Sequence, residues 1–206
     1  MRHTPPAHAL LVAALALTGC ATGGSAAAPA TVPTTLAPTT SSTTTTSTTT
    51  TTSTTTTTLP PLPKPAPAPP DDAIEPIIEV GTLEIPKLDV RQTMYEGVSN
   101  SVLDYGPGHW PGSAMPGQLG NVVVGGHRTT KSRPFRNVDQ LVAGDEVIFT
   151  TPDGTFVYIV ERWEILLPSS TWILAQRYEY TATLFSCHPP GSIDQRIVVF
   201  LKLRGT

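Results

Sequence analysis

Length, composition and charge exclude several classes of protein. The chain of 206 residues carries 13 Lys and Arg against 16 Asp and Glu, a net charge of −3, which gives no sign of the basic face that nucleic-acid binding needs. Its two cysteines, Cys20 and Cys187, are too few for a disulfide framework. All 16 acidic residues lie at position 71 or later, so the chain divides into a non-globular front and a globular back with room for one small core.

The first 20 residues are typical of a bacterial export signal. Arg2 gives a weakly positive start, and the apolar run at residues 9–17 is too short to span a bilayer, which takes about 20 apolar residues. The run leads into Leu-Thr-Gly-Cys at residues 17–20, which resembles the lipobox of bacterial lipoproteins. Cys20 is therefore the predicted lipid anchor, outside the cytoplasmic membrane. An ordinary signal peptide with an incidental cysteine, or an uncleaved anchor, is the alternative.

Residues 21–72 are predicted to be a disordered stalk. Residues 39–58 are nearly pure Thr and Ser, and such a segment buries too little apolar surface to offset its loss of conformational entropy on ordering. Residues 60–70 alternate Pro with small residues, which predicts an extended, semi-rigid spacer. The stalk would hold a folded domain away from the membrane, and O-glycosylation of its Thr run stays open.

Residues 73–206 have the pattern of a small all-β domain. Short apolar and β-branched runs, separated by Gly and Pro turns, predict strands at 82–85, 88–94, 121–124, 145–150, 155–167, 181–186 and 196–203. Short helices are predicted at 101–105, 135–141 and 172–177. Many short strands with little helix indicate an all-β barrel or sandwich.

Three side chains of the β domain could build an acyl-transfer site. Cys187 follows a β-type run, His127 follows the strand at 121–124, and Arg196 opens the last predicted strand. Most free cysteines are small buried hydrophobes, but a thiolate with a nearby imidazole can act as a nucleophile. Arginine offers forked donors to a developing oxyanion. Sequence spacing leaves open whether the three side chains converge.

Three sequence blocks carry a resemblance to a known family. They are Gly-Pro-Gly-His-Trp-Pro-Gly-Ser-Ala-Met-Pro-Gly at 106–117, Gly-His-Arg-Thr-Thr at 126–130, and Thr-Leu-Phe-Ser-Cys-His-Pro at 183–189. With them, residues 82–203 resemble the sortases, and most closely the class E sortases of high-GC Gram-positive bacteria. The His, Cys and Arg that are catalytic in that family map onto His127, Cys187 and Arg196. Trp110 stands where class E members tend to have Tyr.

The resemblance implies a fold and a reaction. The fold would be a closed sortase-type β-barrel of about eight strands with a few short helices. Cys187 would attack the Thr carbonyl of a C-terminal sorting signal of the type Leu-x-x-Thr-Gly, with Ala favoured at the second position. Arg196 would stabilise the oxyanion, and His127 would protonate the leaving amine. The implied partners are surface proteins with such a signal and an amine acceptor, either a peptidoglycan precursor or a pilin lysine. No metal or organic cofactor is implied.

Neighbouring residues allow other interpretations. His188 beside Cys187 could suggest a metal site with His109 or His127, but adjacent residues on an extended segment point to opposite faces, and no metal-binding motif is present. His188 is instead expected to pack or to form hydrogen bonds. The basic residues after His127 are interpreted as a solvated loop, with an anion site for a phosphate-bearing precursor as the alternative; they are Arg128, Lys131, Arg133 and Arg136.

Two other functions remain as alternatives. One is a non-catalytic β-barrel lipoprotein that binds a cell wall component. The other is a peptidoglycan L,D-transpeptidase, which also uses Cys and His on a β scaffold. That family has its His just before the Cys, whereas here His127 precedes Cys187 by sixty residues.

Overall fold

The protein folds as a closed β-barrel. The computed structural model describes residues 59–70 and 72–206. Within these residues eight strands close in the order β1-β2-β3-β4-β7-β8-β6-β5, which confirms the all-β barrel. The strands are β1 Glu79–Ile85, β2 Val90–Glu96, β3 Gly108–His109, β4 Gly120–Gly125, β5 Glu146–Thr151, β6 Gly154–Leu166, β7 Tyr180–His188 and β8 Gln195–Leu203.

Helical structure is brief. The described residues contain one α-helix, α1 (Asn100–Leu103), and 3-10 turns at Pro86–Leu88, Val138–Gln140 and Thr171–Leu174. Of the helix predicted at 135–141, only the 3-10 turn at Val138–Gln140 is present. The predicted start of the second strand at Leu88 is wrong, because Pro86 begins a 3-10 turn and Asp89 takes a left-handed conformation with φ of 53° before the strand starts at Val90.

The barrel interior is filled by alternate residues of the strands. Leu83, Phe149, Leu184 and Val199 are fully buried, as expected for the inward positions of strands with a period of two. Tyr158 is also buried, and its ring packs edge-on against Phe149 with the centroids 5.4 Å apart. Its hydroxyl accepts a hydrogen bond from the Gly117 amide at 3.1 Å. Burial raises the pKa of the Tyr158 phenol, and the Gly117 bond opposes that rise in part.

The strand arrangement brings distant parts of the chain together at β7. Strand β7 pairs parallel with β4 on one side and antiparallel with β8 on the other. The predicted end of β7 at residue 186 is wrong, since Cys187 and His188 continue the ladder opposite Arg196 and Gln195. The pairing with β8 holds Cys187 in the strand, so its position is set by the barrel.

The Pro-rich segment lies on the barrel, although it was predicted to be part of the stalk. The Ala66 amide donates to the Pro111 carbonyl at 2.8 Å, and the Trp110 indole N–H donates to the Ala66 carbonyl at 2.8 Å. A Cβ on Gly112, whose φ is 75°, would overlap the Lys64 carbonyl oxygen. The segment therefore approaches the loop after β3 as closely as a glycine allows.

The structure does not test the predicted export signal or the predicted lipid anchor. The predicted signal at 1–20, Cys20 and the Thr-rich run all lie outside the described residues. No helix among residues 59–70 and 72–206 is both long enough and apolar enough to span a bilayer.

Candidate functional site

Cys187 and Arg196 are direct partners across two strands. Their Cα atoms oppose each other in the antiparallel β7–β8 ladder, and opposed residues of such a ladder project from the same face. The neighbours of Cys187 show which face this is. Leu184 and Ser186 are buried on the inside, so Phe185 and Cys187 project outward. Cys187 is half-buried and carries a free thiol.

His127 follows β4, the strand that pairs with the other side of β7. The parallel β4–β7 ladder ends with Gly125 opposite Phe185. Beyond it the Gly126 amide donates to the Phe185 carbonyl at 3.2 Å, and the Ser186 hydroxyl donates to the Gly126 carbonyl at 2.7 Å. β4 ends at Gly125, and the same register extended into the following loop corresponds to His127 level with Cys187.

The Gly-Gly pair before His127 is required by packing. A Cβ on Gly125 would lie 2.7 Å from the Phe185 ring, and a Cβ on Gly126 would lie 2.7 Å from the Phe135 ring. Real side chains do not approach so closely, so glycine at both positions lets two aromatic rings close over the backbone. The backbone that leads into His127 is thereby held between the rings of Phe185 and the buried Phe135.

A second contact verifies this register one residue further on. The Arg128 guanidinium donates from Nη1 to Nδ1 of His188 at 2.8 Å. Side chains alternate along a strand, so Cys187 projects from the face of β7 opposite His188. His127 is likewise more exposed than its neighbour Arg128, at 17% against 2%. The structure therefore brings the three predicted residues, His127, Cys187 and Arg196, to one end of adjoining strands.

His127 and Arg196 form hydrogen bonds with groups other than Cys187. Nε2 of His127 lies 3.1 Å from Oδ1 of Asp104, which follows α1 and was not singled out from the sequence. Nη1 of Arg196 donates to the Ile193 carbonyl at 2.8 Å and to the Gln195 carbonyl at 3.0 Å. Among the described residues, no hydrogen bond of the Cys187 thiol is seen.

A cavity of about 210 Å³ lies beside Arg196. Phe185 and Trp110 contribute to its wall, with ring centroids 5.9 Å apart, and the turn at Thr171–Leu174 and the Pro-rich segment contribute too. The cavity adjoins the outward face that carries Cys187, since Phe185 is two residues before it on the same strand. It can therefore hold an apolar group of a molecule bound at that face.

The basic loop after His127 is only partly as predicted. Lys131, Arg133 and Arg136 are exposed, but the solvated position predicted for Arg128 is wrong, because that residue is only 3% exposed. Its Nη2 pairs with Asp139 at 2.6 Å, and its Nε donates to the Arg136 carbonyl at 3.3 Å. The sequence does not reveal this burial, because the partner His188 is sixty positions away.

The two other histidines considered for a metal site have separate partners. Nδ1 of the buried His109 lies 2.7 Å from Glu96, and its Nε2 lies 2.9 Å from the Ser113 hydroxyl. His188 faces Arg128. No group of three or more His, Cys, Asp and Glu side chains suited to a metal ion occurs among the described residues.

Comparison with known proteins identifies relatives of the whole β domain. The family model described as "Sortase domain" matches residues 83–204. The chain is 29% identical over 126 residues to Sortase D of Bacillus subtilis, covering 59% of this chain and 62% of that protein. It is 33% identical over 147 residues to Sortase SrtE1 of Streptomyces coelicolor, covering 64% of this chain and 42% of that protein. The chain thus spans less than two thirds of either curated relative.

Solved structures give the same picture. A Sortase D5 transpeptidase of Clostridium perfringens superimposes with a TM-score of 0.57 at 35% identity, covering 62% of this chain and 79% of that one. Sortase E1 from Streptomyces coelicolor, with a tripeptide in its active site, gives a TM-score of 0.57 at 30% identity, covering 61% of this chain and 88% of that one.

Proposed function

This chain belongs to the sortase family, and from that premise we propose that it is a cysteine transpeptidase. It cuts a C-terminal sorting signal between Thr and Gly and transfers the new acyl end to an amine. The observation that carries the proposal is the pairing of Cys187 with Arg196 across β7 and β8, with His127 at the adjoining end of β4. Nucleophile and oxyanion donor come from two paired strands of the barrel, and the proton carrier comes from the loop that follows a third.

The first half-reaction forms a thioester. The Cys187 thiol gives its proton to His127 as its sulfur attacks the carbonyl carbon of the signal's Thr, and the carbonyl oxygen becomes an oxyanion. The guanidinium of Arg196 stabilises that charge, a role for which a permanently charged donor is suited. The C–N bond to Gly then breaks, and His127 gives a proton to the departing amine. The Thr acyl group remains on Cys187.

The second half-reaction releases the enzyme. An acceptor amine attacks the thioester carbon, His127 removes its proton, and the Cys187 sulfur leaves and takes that proton from His127. The product is a new amide bond, and the enzyme returns to its starting state. The acceptor is an amine of a peptidoglycan precursor or a pilin lysine.

The family and the cavity favour a particular signal. Similarity to Sortase SrtE1 supports a class E-like preference for Leu-Ala-x-Thr-Gly over Leu-Pro-x-Thr-Gly. The aromatic wall of the cavity beside Arg196, formed by Trp110 and Phe185, suits an apolar residue of such a peptide. The enzyme would work outside the cytoplasmic membrane and face the cell wall, with Cys20 as its lipid anchor and the Thr-rich stalk as its spacer.

A direct test incubates residues 59–206 with both peptides and an oligoglycine acceptor, and follows the new amide by mass spectrometry. The proposal predicts a product that joins the Thr acyl end to the acceptor, and no product with Cys187→Ala. If neither peptide reacts and iodoacetamide labels Cys187 no faster than a free thiol, the chain is a binding module on a sortase fold.

A further inference from the structure

The buried Arg128 is placed where it can act on the site through His188. Its side chain is 2% exposed, and an arginine is almost never so buried unless its charge and its donors are satisfied. Its three contacts reach two segments: the end of β7 at His188, and its own loop at the Arg136 carbonyl and the Asp139 carboxylate. One guanidinium thereby joins the loop after β4 to the last residue of β7.

The contact with His188 fixes one tautomer of its ring. Arginine can only donate hydrogen bonds, so Nδ1 of His188 accepts the bond of 2.8 Å and the ring proton resides on Nε2. The interaction is specific for an acceptor at that position. An alanine has no acceptor there, whereas the side-chain oxygen of asparagine can occupy the place of Nδ1.

The chain positions of these residues connect the contact to the chemistry. Arg128 directly follows His127, and His188 directly follows Cys187. The backbone between each pair is a single peptide unit, which is planar and stiff. Because His188 and Cys187 are both held in the β7–β8 ladder, a change in the contact between Arg128 and His188 moves the loop after β4, and with it His127 relative to Cys187.

We propose that Arg128 and His188 form a positioning pair that sets the distance between the imidazole of His127 and the sulfur of Cys187. Neither residue touches the reacting atoms. The inference rests on the proposed function, because it assigns the pair a role in that site. A misplacement of reacting groups by about 1 Å can cost about 100-fold in rate, so the loss of the pair is expected in kcat and not in substrate affinity.

The test compares His188→Ala with His188→Asn, and both leave Arg128 paired with Asp139. We expect His188→Ala to lower kcat by about 10- to 100-fold, with KM changed less than about twofold, and His188→Asn to restore kcat to within about threefold of the wild type. Thr130→Ala, at an exposed position of the same loop, serves as the control and should match the wild type. An unchanged kcat in His188→Ala, or equal losses in the Ala and Asn variants, would overturn the proposal.

A second readout needs no turnover and separates this proposal from the proposed function. The rate of Cys187 alkylation by iodoacetamide is measured against pH in the wild type, His127→Ala and His188→Ala. We expect the profile of His188→Ala to move towards that of His127→Ala, and that of His188→Asn to stay with the wild type. Nitrogen-15 NMR should find Nδ1 of His188 unprotonated. If the alkylation profiles shift as expected while no peptide is transferred, the positioning role of Arg128 and His188 is supported and the transpeptidase proposal fails. An alkylation profile of His188→Ala that matches the wild type rejects the positioning role.

Discussion

Cys187 on β7 faces Arg196 on β8 as its direct partner in the antiparallel ladder. The two residues share one outward face of the barrel, and the cavity lined by Arg196 opens beside them. A ladder holds such a pair in place through backbone hydrogen bonds on both sides, so this part of the site is formed before any ligand arrives.

Replacement of Arg196 tests the oxyanion role. Arg196→Ala should lower kcat by about 10²- to 10³-fold, the usual cost of removing one oxyanion donor, with a smaller effect on KM. Arg196→Lys should recover only part of the loss, because lysine keeps the charge but lacks the fork. Arg91→Ala is a suitable control, since the Arg91 side chain is 75% exposed on β2. Steady-state kinetics with a sorting-signal peptide measure all three, and near-normal turnover in Arg196→Ala would exclude the role.

Replacement of Asp104 tests whether the site is a triad. The Asp104 carboxylate is 40% exposed and lies 3.1 Å from His127, and exposed ion pairs contribute only about 0.2–1 kcal/mol. Asp104→Asn should therefore lower kcat/KM by no more than about fivefold. Lys131→Ala is the matched control, because Lys131 lies 3.7 Å from the same carboxylate. A loss of several hundredfold would instead make Asp104 an essential member of the site.

The buried Tyr158 predicts a loss of stability in alkali. Burial raises the pKa of its phenol in the folded state, above the value of about 10 expected when unfolded. Its stabilising contribution is thus complete below about pH 10 and is lost as pH rises through the folded-state pKa. Tyr158→Phe should flatten this loss, and Tyr178→Phe, at a residue 51% exposed, should not. Urea unfolding at several pH values gives the free energy of unfolding as a function of pH. An equally steep fall of that free energy in the wild type and both variants would contradict the prediction.

The Pro-rich segment offers a matched pair of variants. Ala66 and Ala68 both precede a proline and are both restricted to extended conformations. Ala66→Pro removes the donor of the bond to Pro111 and should cost roughly 1 kcal/mol of unfolding free energy. Ala68→Pro removes no backbone bond seen in the described residues and should cost less. Melting temperature and Trp110 fluorescence report the difference; identical behaviour of the two variants would show that the segment is not held at Ala66.

The sequence predicted the strands better than it predicted the contacts between them. The alternation and turns that mark the strands are local, and the Cys, His and Arg stand in recognisable blocks. The docking of the Pro-rich segment could not be predicted, because it depends on the Trp110 indole and on the space left by Gly112. The burial of Arg128 was missed for a similar reason, since its partners Asp139 and His188 meet it only in the folded barrel.

The convergence of His127 and Cys187 is most directly measured by cross-linking. Neighbouring strands lie about 4.8 Å apart, and disulfides form at Cα separations of about 4.4–6.8 Å. His127→Cys should therefore form an intramolecular disulfide with Cys187 under mild oxidation, seen as the loss of both free thiols and a mass decrease of about 2 Da from the two hydrogens removed. Thr130→Cys, further along the exposed loop, should oxidise far more slowly. Two thiols that stay free in oxidised His127→Cys, or equal oxidation of the two variants, would contradict the account.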